Sequence, residues 1–165
     1  MFFKVCIILV QAFLLCSKIE RIIDNMRFGS KKVTDEKGVV WDSTTEYNYS
    51  LILNKLQEQG KIKDLTRQIS YNLIPSFKDG QGNNIRKMDY VADFVYIDVA
   101  TNNKVILDVK GSAFNIDPVF TNKWKLLKYN LKDEKDIQFK IMIKYKDIWY
   151  DLESKEDKKN YKTLH

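Results

Sequence analysis

The centre of the chain contains two apolar runs, Tyr90-Val-Ala-Asp-Phe-Val-Tyr-Ile97 and Val105-Ile-Leu-Asp-Val-Lys110, separated by the turn-forming residues Thr101-Asn-Asn103. Runs of this length, rich in β-branched and aromatic residues, are typical of buried strands, and the polar turn between them predicts a β-hairpin. Each run also contains a carboxylate, Asp93 in the first and Asp108 in the second. Because ionised side chains in buried strands are costly to desolvate unless they are paired or bind a metal, the hairpin indicates a site as well as a fold.

The faces of this hairpin depend on its loop, since side chains alternate between the two faces of a strand. With an even number of loop residues, the residue opposite Asp93 lies on the same face of the second strand as Asp108 and Lys110. The side chains of Asp93, Asp108 and Lys110 then share one face of the hairpin. Two carboxylates and an ammonium group then form an oxygen-rich site for Mg²⁺ beside a cation. An odd loop places Asp93 on the other face. The alternative interpretation is an interstrand salt bridge between Asp93 and Lys110, which alternation alone does not distinguish from a metal site.

The elements on either side of the hairpin are predicted from capping residues, apolar spacing and alternation. In chain order they are a strand at 38–41, a helix from Ser43 to Gly60, a strand at 65–74, the hairpin, a helix that begins at Asp117-Pro118, and a strand at 137–144. Two consecutive strands joined by a helix run parallel in one sheet, so the strands at 105–110 and 137–144 form a parallel pair. We therefore expect an α/β fold with a mixed β-sheet flanked by helices.

The composition is that of one folded domain. The 165 residues include only 6 Gly and 2 Pro, with 9 Tyr, 9 Phe and 3 Trp, which excludes a disordered or fibrous chain. The single histidine is His165, and Cys6 and Cys16 both lie near the N-terminus, which excludes a disulfide framework, a His-dependent zinc site and Ser-His or Cys-His catalysis. The net charge of +6 suits a polyanionic partner such as nucleic acid.

Three parts of the chain are predicted: an apolar leader at 1–25, a globular domain at 26–150 and a charged, solvated tail at 151–165. Within the leader, the uncharged run from Val5 to Ser17 is shorter than the roughly 20 residues of a membrane span. Its length fits a signal peptide, but small residues for cleavage are missing. Translation from Met26 and an additional core helix are the other interpretations. We expect a cytoplasmic protein. A secreted or membrane-associated protein is expected only if the leader is translated and acts as a signal peptide or anchor.

The motifs occur in an order that resembles a known superfamily. Tyr90-Val-Ala-Asp-Phe94 and Asp108-Val-Lys-Gly111 follow a helix that begins Asp42-Ser-x-x-Glu46, an arrangement similar to the PD-(D/E)xK nucleases. More narrowly, residues 38–129 resemble small phage-borne endonucleases that share these motifs and a glutamine in the strand after the helix. The resemblance implies a restriction-endonuclease-like core of a helix, three strands, a helix and a strand. This order is the same as the one predicted above.

The resemblance also implies the chemistry, which is Mg²⁺-dependent phosphodiester hydrolysis with Mn²⁺ as an alternative metal. The implied metal ligands are Asp93, Asp108 and the backbone carbonyl of Val109, with Glu46 beside them. Lys110 is implied to position the attacking water and to stabilise the charged phosphorane. Asp93, Asp108, Lys110 and Glu46 are therefore the candidate catalytic residues. For Glu46 a purely structural interpretation stays open, since it also occupies the third helical position of a capping box.

DNA is the expected partner, bound through its backbone rather than by base readout. The candidate contacts share a positive or amide side chain outside the motifs: Gln68, Lys78, Arg86, Lys87, Lys123 and Lys125. Each of them is individually also explained as an ordinary solvated side chain. Cleavage of branched DNA by a homodimer is the implied use, because relatives of this fold act in that way. The alternative function is a catalytically inactive nucleic-acid-binding or phage-assembly module of the same fold.

Overall fold

A computed structural model describes residues 32–36, 38–113 and 116–164. The predicted leader at 1–25, with its alternative interpretations, lies outside these residues. Among the described helices, none combines the length and apolar character that a membrane crossing requires. The elements are β1 (Val33–Thr34), β2 (Val40–Trp41), α1 (Thr44–Glu58), β3 (Ile62–Ile74), β4 (Phe77–Lys78), β5 (Asn84–Ile85), β6 (Met88–Asp98), β7 (Lys104–Lys110), α2 (Pro118–Asn130), β8 (Ile137–Tyr145), β9 (Ile148–Asp151) and α3 (Lys155–Thr163).

Five of the strands form one mixed sheet in the order β3-β6-β7-β8-β9. The predicted hairpin is confirmed as the antiparallel pair β6 and β7, and the predicted parallel pair is confirmed as β7 and β8. The remaining neighbours, β3 with β6 and β8 with β9, are antiparallel. Two further pairs, β1 with β2 and β4 with β5, form small separate sheets. The predicted mixed α/β fold is therefore confirmed in its coarse form.

Helix α1 begins and ends where its capping residues predict. The Glu46 amide donates a 3.0 Å hydrogen bond to the Ser43 hydroxyl, which satisfies one of the free N–H groups of the first turn. After the last turn, Gly60 adopts a φ of 68°, a left-handed conformation that glycine reaches without steric cost. The inner side of α1 buries Leu53 completely against Phe94 of the sheet. One face of the sheet is thereby covered.

Helix α2 covers the opposite face. The Asp117 carboxylate caps it by accepting a 2.8 Å hydrogen bond from the Val119 amide, and proline follows at the first helical position. Trp124 and Leu127 pack from this helix onto Ile106 of the sheet. The molecule is therefore layered as helix, sheet and helix, with a separate core cluster on each face of the sheet.

Two segments differ from the sequence prediction. The basic loop after Pro75 contains a short hairpin, β4 and β5, whose turn is held by Asp79 through hydrogen bonds from the Gln81 and Asn83 amides. The segment predicted as a solvated tail contains the last residue of the edge strand β9 and the whole of helix α3, and Tyr161 of α3 is 7% exposed. The balanced charges of this segment do not predict its packing, because the packing depends on one buried aromatic side chain, Tyr161.

In both β3 and β6, side chains of one parity switch from one face of the sheet to the other, and they do so at neighbouring positions of the two strands. The residues that pack beneath α1 are Leu65, Phe94 and Tyr96, whereas those of the same parity that pack beneath α2 are Ile69, Tyr71, Tyr90 and Ala92. The change occurs at Gln68, whose φ of 54° is left-handed, and at Asp93 beside it. A left-handed residue in a strand reverses the side to which the following side chains point. The predicted carboxylate Asp93 thus lies at an irregularity that regular alternation does not describe.

Candidate active site

Asp93 and Asp108 face each other across neighbouring strands. The last pair in the register of β6 and β7 is Phe94 with Leu107, and Asp93 and Asp108 are the next residue of each strand beyond it. This is the arrangement expected for an even loop. Asp93 does not bond to a side chain on β7 but accepts a 2.8 Å hydrogen bond from the backbone amide of Val109. This bond fixes one carboxylate oxygen of Asp93 beside the strand that carries Asp108.

Lys110 pairs with Asp108 rather than with Asp93. Its ammonium group contacts Oδ1 of Asp108 as an ion pair, and it also lies 4.0 Å from the centroid of the Phe120 ring on α2. Residues two apart on one strand share a face, which is why these two side chains meet. The interstrand salt bridge between Asp93 and Lys110, the alternative interpretation of the sequence, is not the ion pair that the structure contains.

Asp93 is electrostatically coupled to the other acidic groups. Burial, followed by repulsion from Asp108, raises the pKa of Asp93 from 3.8 to about 7, and Glu46 adds a smaller repulsion. The Val109 amide and the Lys110 ammonium group act in the opposite direction. The nearby positive charge therefore does not fully offset the carboxylates. Their mutual repulsion is a condition that a bound cation would relieve.

Glu46 is buried, and its two carboxylate oxygens make different contacts. Its Oε2 accepts a 3.2 Å hydrogen bond from the Asp42 amide, just before the helix. Its Oε1 lies 3.3 Å from Nη2 of Arg67 and 3.4 Å from Nε2 of Gln68. Glu46 therefore combines a capping contact with a link to the sheet. Gln68, predicted as a DNA contact, is brought to Glu46 because its left-handed backbone redirects the strand.

Arg67 is a site residue that the sequence reasoning missed. Its guanidinium carbon lies 3.3 Å from the centroid of the Trp41 ring, and it forms the ion pair with Glu46. The side chain is 27% exposed, and its buried Nε lacks a hydrogen-bond partner within the described residues. A signal was present in the sequence, since Arg67 stands between Leu65 and Ile69 on the apolar side of an alternating strand. A charged residue at such a position indicates a buried partner.

Tyr90 was also missed, although it begins the motif that contains Asp93. Its hydroxyl donates a 2.5 Å hydrogen bond to Oδ2 of Asp108. Burial, together with the nearby Asp108 charge, raises the pKa of the Tyr90 phenol, so it stays protonated and acts as a donor. Both oxygens of Asp108 are thus held, one by a phenol and the other by the ammonium group of Lys110.

The donor set suits a hard divalent cation in its chemistry. In residues 32–36, 38–113 and 116–164, no three acidic, histidine or cysteine side chains are already arranged as a metal-ligand group. The fit rests instead on Asp108, whose buried Oδ1 lies against Lys110 without a well-directed hydrogen bond, and on Asp93, which repels it. Carboxylate and carbonyl oxygens are the ligands that Mg²⁺ prefers. Asp93, Asp108 and the Val109 carbonyl would supply them, with Glu46 nearby.

The candidate DNA contacts outside α1 and β3 lie on several elements and differ in their partners. Lys123 donates a 2.8 Å hydrogen bond from Nζ to the Asp89 carbonyl, and Lys87 forms a 2.6 Å ion pair with the Asp89 carboxylate. These two lysines therefore have partners inside the protein. The others lie on separate elements and are exposed: Lys78 on β4, Arg86 between β5 and β6, and Lys125 on α2.

Residues 25–147 match a family model described as "Protein of unknown function (DUF1064)". The matched region is well over half of the chain and contains Glu46, Asp93, Asp108 and Lys110. No curated protein and no solved structure matches the chain. The description of the family assigns no activity, so the geometry of the site is the basis for a functional proposal.

Proposed function

We propose that this chain, which belongs to the DUF1064 family, is a metal-dependent endodeoxyribonuclease with a restriction-endonuclease-like core. One observation carries the proposal: the half-buried Asp93 and the buried Asp108 lie on adjacent strands as a mutually repelling pair, with the Lys110 ammonium group against Asp108. Burying carboxylates in this way costs folding free energy, about 1.4 kcal/mol for each unit by which a pKa rises. A cation-binding function explains why such a pair lies in the core, whereas a purely structural role needs only apolar side chains there.

Each residue of the proposed site has a separate role. When bound by Asp93, Asp108 and the Val109 carbonyl, Mg²⁺ or Mn²⁺ supplies a water of lowered pKa and offsets charge on the scissile phosphate. Tyr90 and Lys110 hold the two oxygens of Asp108, and the Val109 amide holds one oxygen of Asp93. Holding the carboxylates in one orientation reduces the reorganisation that the reaction requires.

Lys110 is the residue proposed to act directly on the reacting groups. Its ammonium group would donate hydrogen bonds to the attacking water and to a phosphate oxygen that gains negative charge in the transition state. The Phe120 ring beneath it restricts the directions that the flexible side chain can take. Because Lys110 is the last residue of β7, its ammonium group is partly exposed, with 28% of the side chain accessible. A phosphate can therefore approach it from solvent.

Glu46 is proposed to complete the site from the other face of the sheet. Its Oε1 is held by Arg67 and Gln68, and its charge acts on Asp93. It would lie near the metal without being one of its two main carboxylate ligands. The proposed substrate is DNA. The specific form of the hypothesis is cleavage of branched DNA by a homodimer, in phage DNA metabolism and in the cytoplasm.

The test is cleavage of supercoiled plasmid and of a four-way junction, with Mg²⁺ or with chelator. We expect wild-type protein to cleave only with Mg²⁺, and Asp108→Asn to lose at least about 100-fold in rate, because a ligand of the metal is removed. The matched control is Asp133→Asn, since Asp133 also stands two residues before a lysine but is exposed in the turn after α2. This control is expected to cleave like wild type.

Two outcomes would contradict the proposal. Equal cleavage by wild type and Asp108→Asn would show that the cluster is not the active site. Binding of DNA by wild-type protein without any cleavage, in Mg²⁺ or in Mn²⁺, would instead identify a catalytically inactive nucleic-acid-binding module. Sedimentation with and without the junction measures whether the active form is a dimer.

A further inference from the structure

Helix α3 presents a lysine surface that the proposed active site does not use. Four exposed lysines line one shallow depression of about 400 Å³ together with Thr163: Lys155, Lys158, Lys159 and Lys162. At 100° and 1.5 Å per residue, these positions fall within an arc of about 100° and along about 10 Å of the helix. We call these four residues the α3 lysine face.

Three of the four acidic residues of the same segment, Asp151, Glu153 and Asp157, bond to groups outside this face, and Glu156 is the exposed fourth. Asp151 accepts hydrogen bonds from the Ile141 and Glu153 amides, at 3.2 and 2.9 Å. Glu153 accepts hydrogen bonds from the Trp124 indole and, at 2.5 Å, from the Lys128 ammonium group. The equal numbers of acidic and basic residues in this segment therefore do not produce a neutral surface.

The α3 lysine face has one exposed acidic neighbour, Glu156, against its four lysines. Asp157 accepts a 3.0 Å hydrogen bond from the Asp151 amide, which draws this carboxylate toward the sheet. Within the described part of the chain, none of the four lysines forms an ion pair. With four lysines against one exposed carboxylate, this surface has a net positive charge that faces solvent and attracts anions.

The position of α3 connects this surface with the candidate site. Tyr161 anchors the helix by packing with Ile143 of β8 and with Ala113, which follows β7 closely in the chain. Ile143 is the register partner of Lys110 in the parallel pair. Adjacent strands lie about 4.8 Å apart. Helix α3 is therefore attached to the sheet near the C-terminal end of β7, where Lys110 lies. A polyanion at Lys110 that extends across β8 and β9 would reach the α3 lysine face.

We infer that the α3 lysine face binds the phosphate backbone of DNA beside the scissile phosphate, an inference that rests on the proposed nuclease function. Lysine is a compact point charge that contacts phosphates without base specificity. The four charges lie along about 10 Å of helix, which spans several phosphates of a duplex that carries one charge per 1.7 Å of its axis. The surface would therefore contribute affinity and orientation rather than sequence recognition.

The experiment measures DNA binding without cleavage. Full-length protein is titrated against a fluorescent duplex in chelator, at NaCl concentrations from about 50 to 250 mM, and compared with K155Q/K158Q/K159Q/K162Q. Each phosphate contact contributes about 0.9 to the slope of log affinity against log salt. We expect the variant to lose about 2 to 3.5 from this slope and at least tenfold in affinity at 100 mM NaCl.

The matched control removes the same charge from the opposite end of the sheet, where strands β3, β7 and β8 begin. It carries K61Q/K63Q/K104Q/K135Q, and all four of these lysines are exposed. We expect its salt slope to change by less than about 1, because these lysines would contact no phosphate. Equal slopes for the two quadruple variants would overturn the inference, since the effect would then be one of net charge alone.

Unchanged DNA affinity in the α3 variant would also overturn the inference. If that variant at the same time loses binding to phosphatidylserine vesicles, the occupant of the surface is an anionic lipid. Failure of the nuclease proposal is distinguishable, because a protein that cleaves no DNA can still show the predicted change in salt slope. Far-ultraviolet circular dichroism of the variant checks that α3 is still formed.

Discussion

The Tyr90 hydroxyl donates a 2.5 Å hydrogen bond to Oδ2 of Asp108, while Oδ1 of the same carboxylate contacts the ammonium group of Lys110. Asp108 is thereby held between a neutral donor from β6 and a charged donor from its own strand. A buried carboxylate that loses a donor keeps its desolvation penalty without compensation. The Tyr90 hydroxyl is therefore expected to influence both folding and the orientation of the proposed metal ligand.

Replacement of Tyr90 by phenylalanine tests this relationship. We expect Y90F to lose about 1.5 to 3 kcal/mol of unfolding free energy, the range for hydrogen bonds to charged groups, and to need more Mg²⁺ for half-maximal cleavage. Urea denaturation and a Mg²⁺ titration of the cleavage rate measure the two effects. The control is Y96F, because Tyr96 is buried on the same strand but packs beneath α1. An unchanged Mg²⁺ requirement in Y90F would argue against a positioning role.

The raised pKa of Asp93 predicts the pH dependence of stability in metal-free protein. Between the ordinary carboxyl pKa of 3.8 and about 7, the folded state keeps a proton that the unfolded state releases. Unfolding free energy therefore falls as pH rises through this window and becomes level above it. In Asp93→Asn this contribution is absent. The unfolding free energy of the variant minus that of wild type should therefore increase from pH 4.5 to pH 8. Urea denaturation in chelator measures it.

Addition of metal should reverse this effect. At pH 8, Mg²⁺ that binds only the folded state should raise the unfolding free energy of wild type, by about 2.7 kcal/mol at a concentration 100 times the dissociation constant. Asp93→Asn should gain much less, since one carboxylate ligand is gone. Thermal denaturation at increasing Mg²⁺ concentrations measures the difference. Equal stabilisation of the two proteins would place the metal elsewhere.

The pair of Arg67 and Glu46 predicts a coupled loss of stability. R67M leaves the buried Glu46 carboxylate without its cation, and we expect about 2 to 4 kcal/mol of destabilisation, less than for a fully buried pair because Arg67 is 27% exposed. The double variant E46Q/R67M should lose less than the sum of the single variants. Urea denaturation of the full double-mutant cycle gives the coupling. R86M, which changes an exposed arginine, should leave stability within about 0.5 kcal/mol of wild type.

Lys123 and Lys125 should separate a structural lysine from a DNA-binding one. Lys123 ties α2 to the Asp89 carbonyl, so K123Q is expected to lower the unfolding free energy by about 1 kcal/mol. Lys125 is exposed, and K125Q should leave stability within about 0.5 kcal/mol while weakening DNA binding. Thermal denaturation and fluorescence anisotropy distinguish the two. Weaker DNA binding in K123Q at unchanged stability would reverse this assignment.

Local signals predicted much of the fold because they act within a few residues. Ser43 and Asp117 cap helices through their own next turn, and the apolar runs of β6 and β7 encode a hairpin through alternation and a short turn. Helix α3 was not predicted, because its one buried anchor, Tyr161, is recognisable only against the strand that it packs on.

The candidate site divides in the same way. The sequence by itself determined that Asp93 and Asp108 lie in adjacent buried strands, since the pairing follows from the two apolar runs and the short polar turn between them. Only the tertiary structure decided that Lys110 pairs with Asp108, that Arg67 reaches Glu46, and that Glu153 and Asp157 bond to groups outside the α3 lysine face. The contacts of Arg67 and Glu153 depend on the packing of segments far apart in the chain, and that of Arg67 also on the left-handed backbone of β3 at Gln68. Such packing is a balance of many distant interactions, which no local pattern in the sequence records.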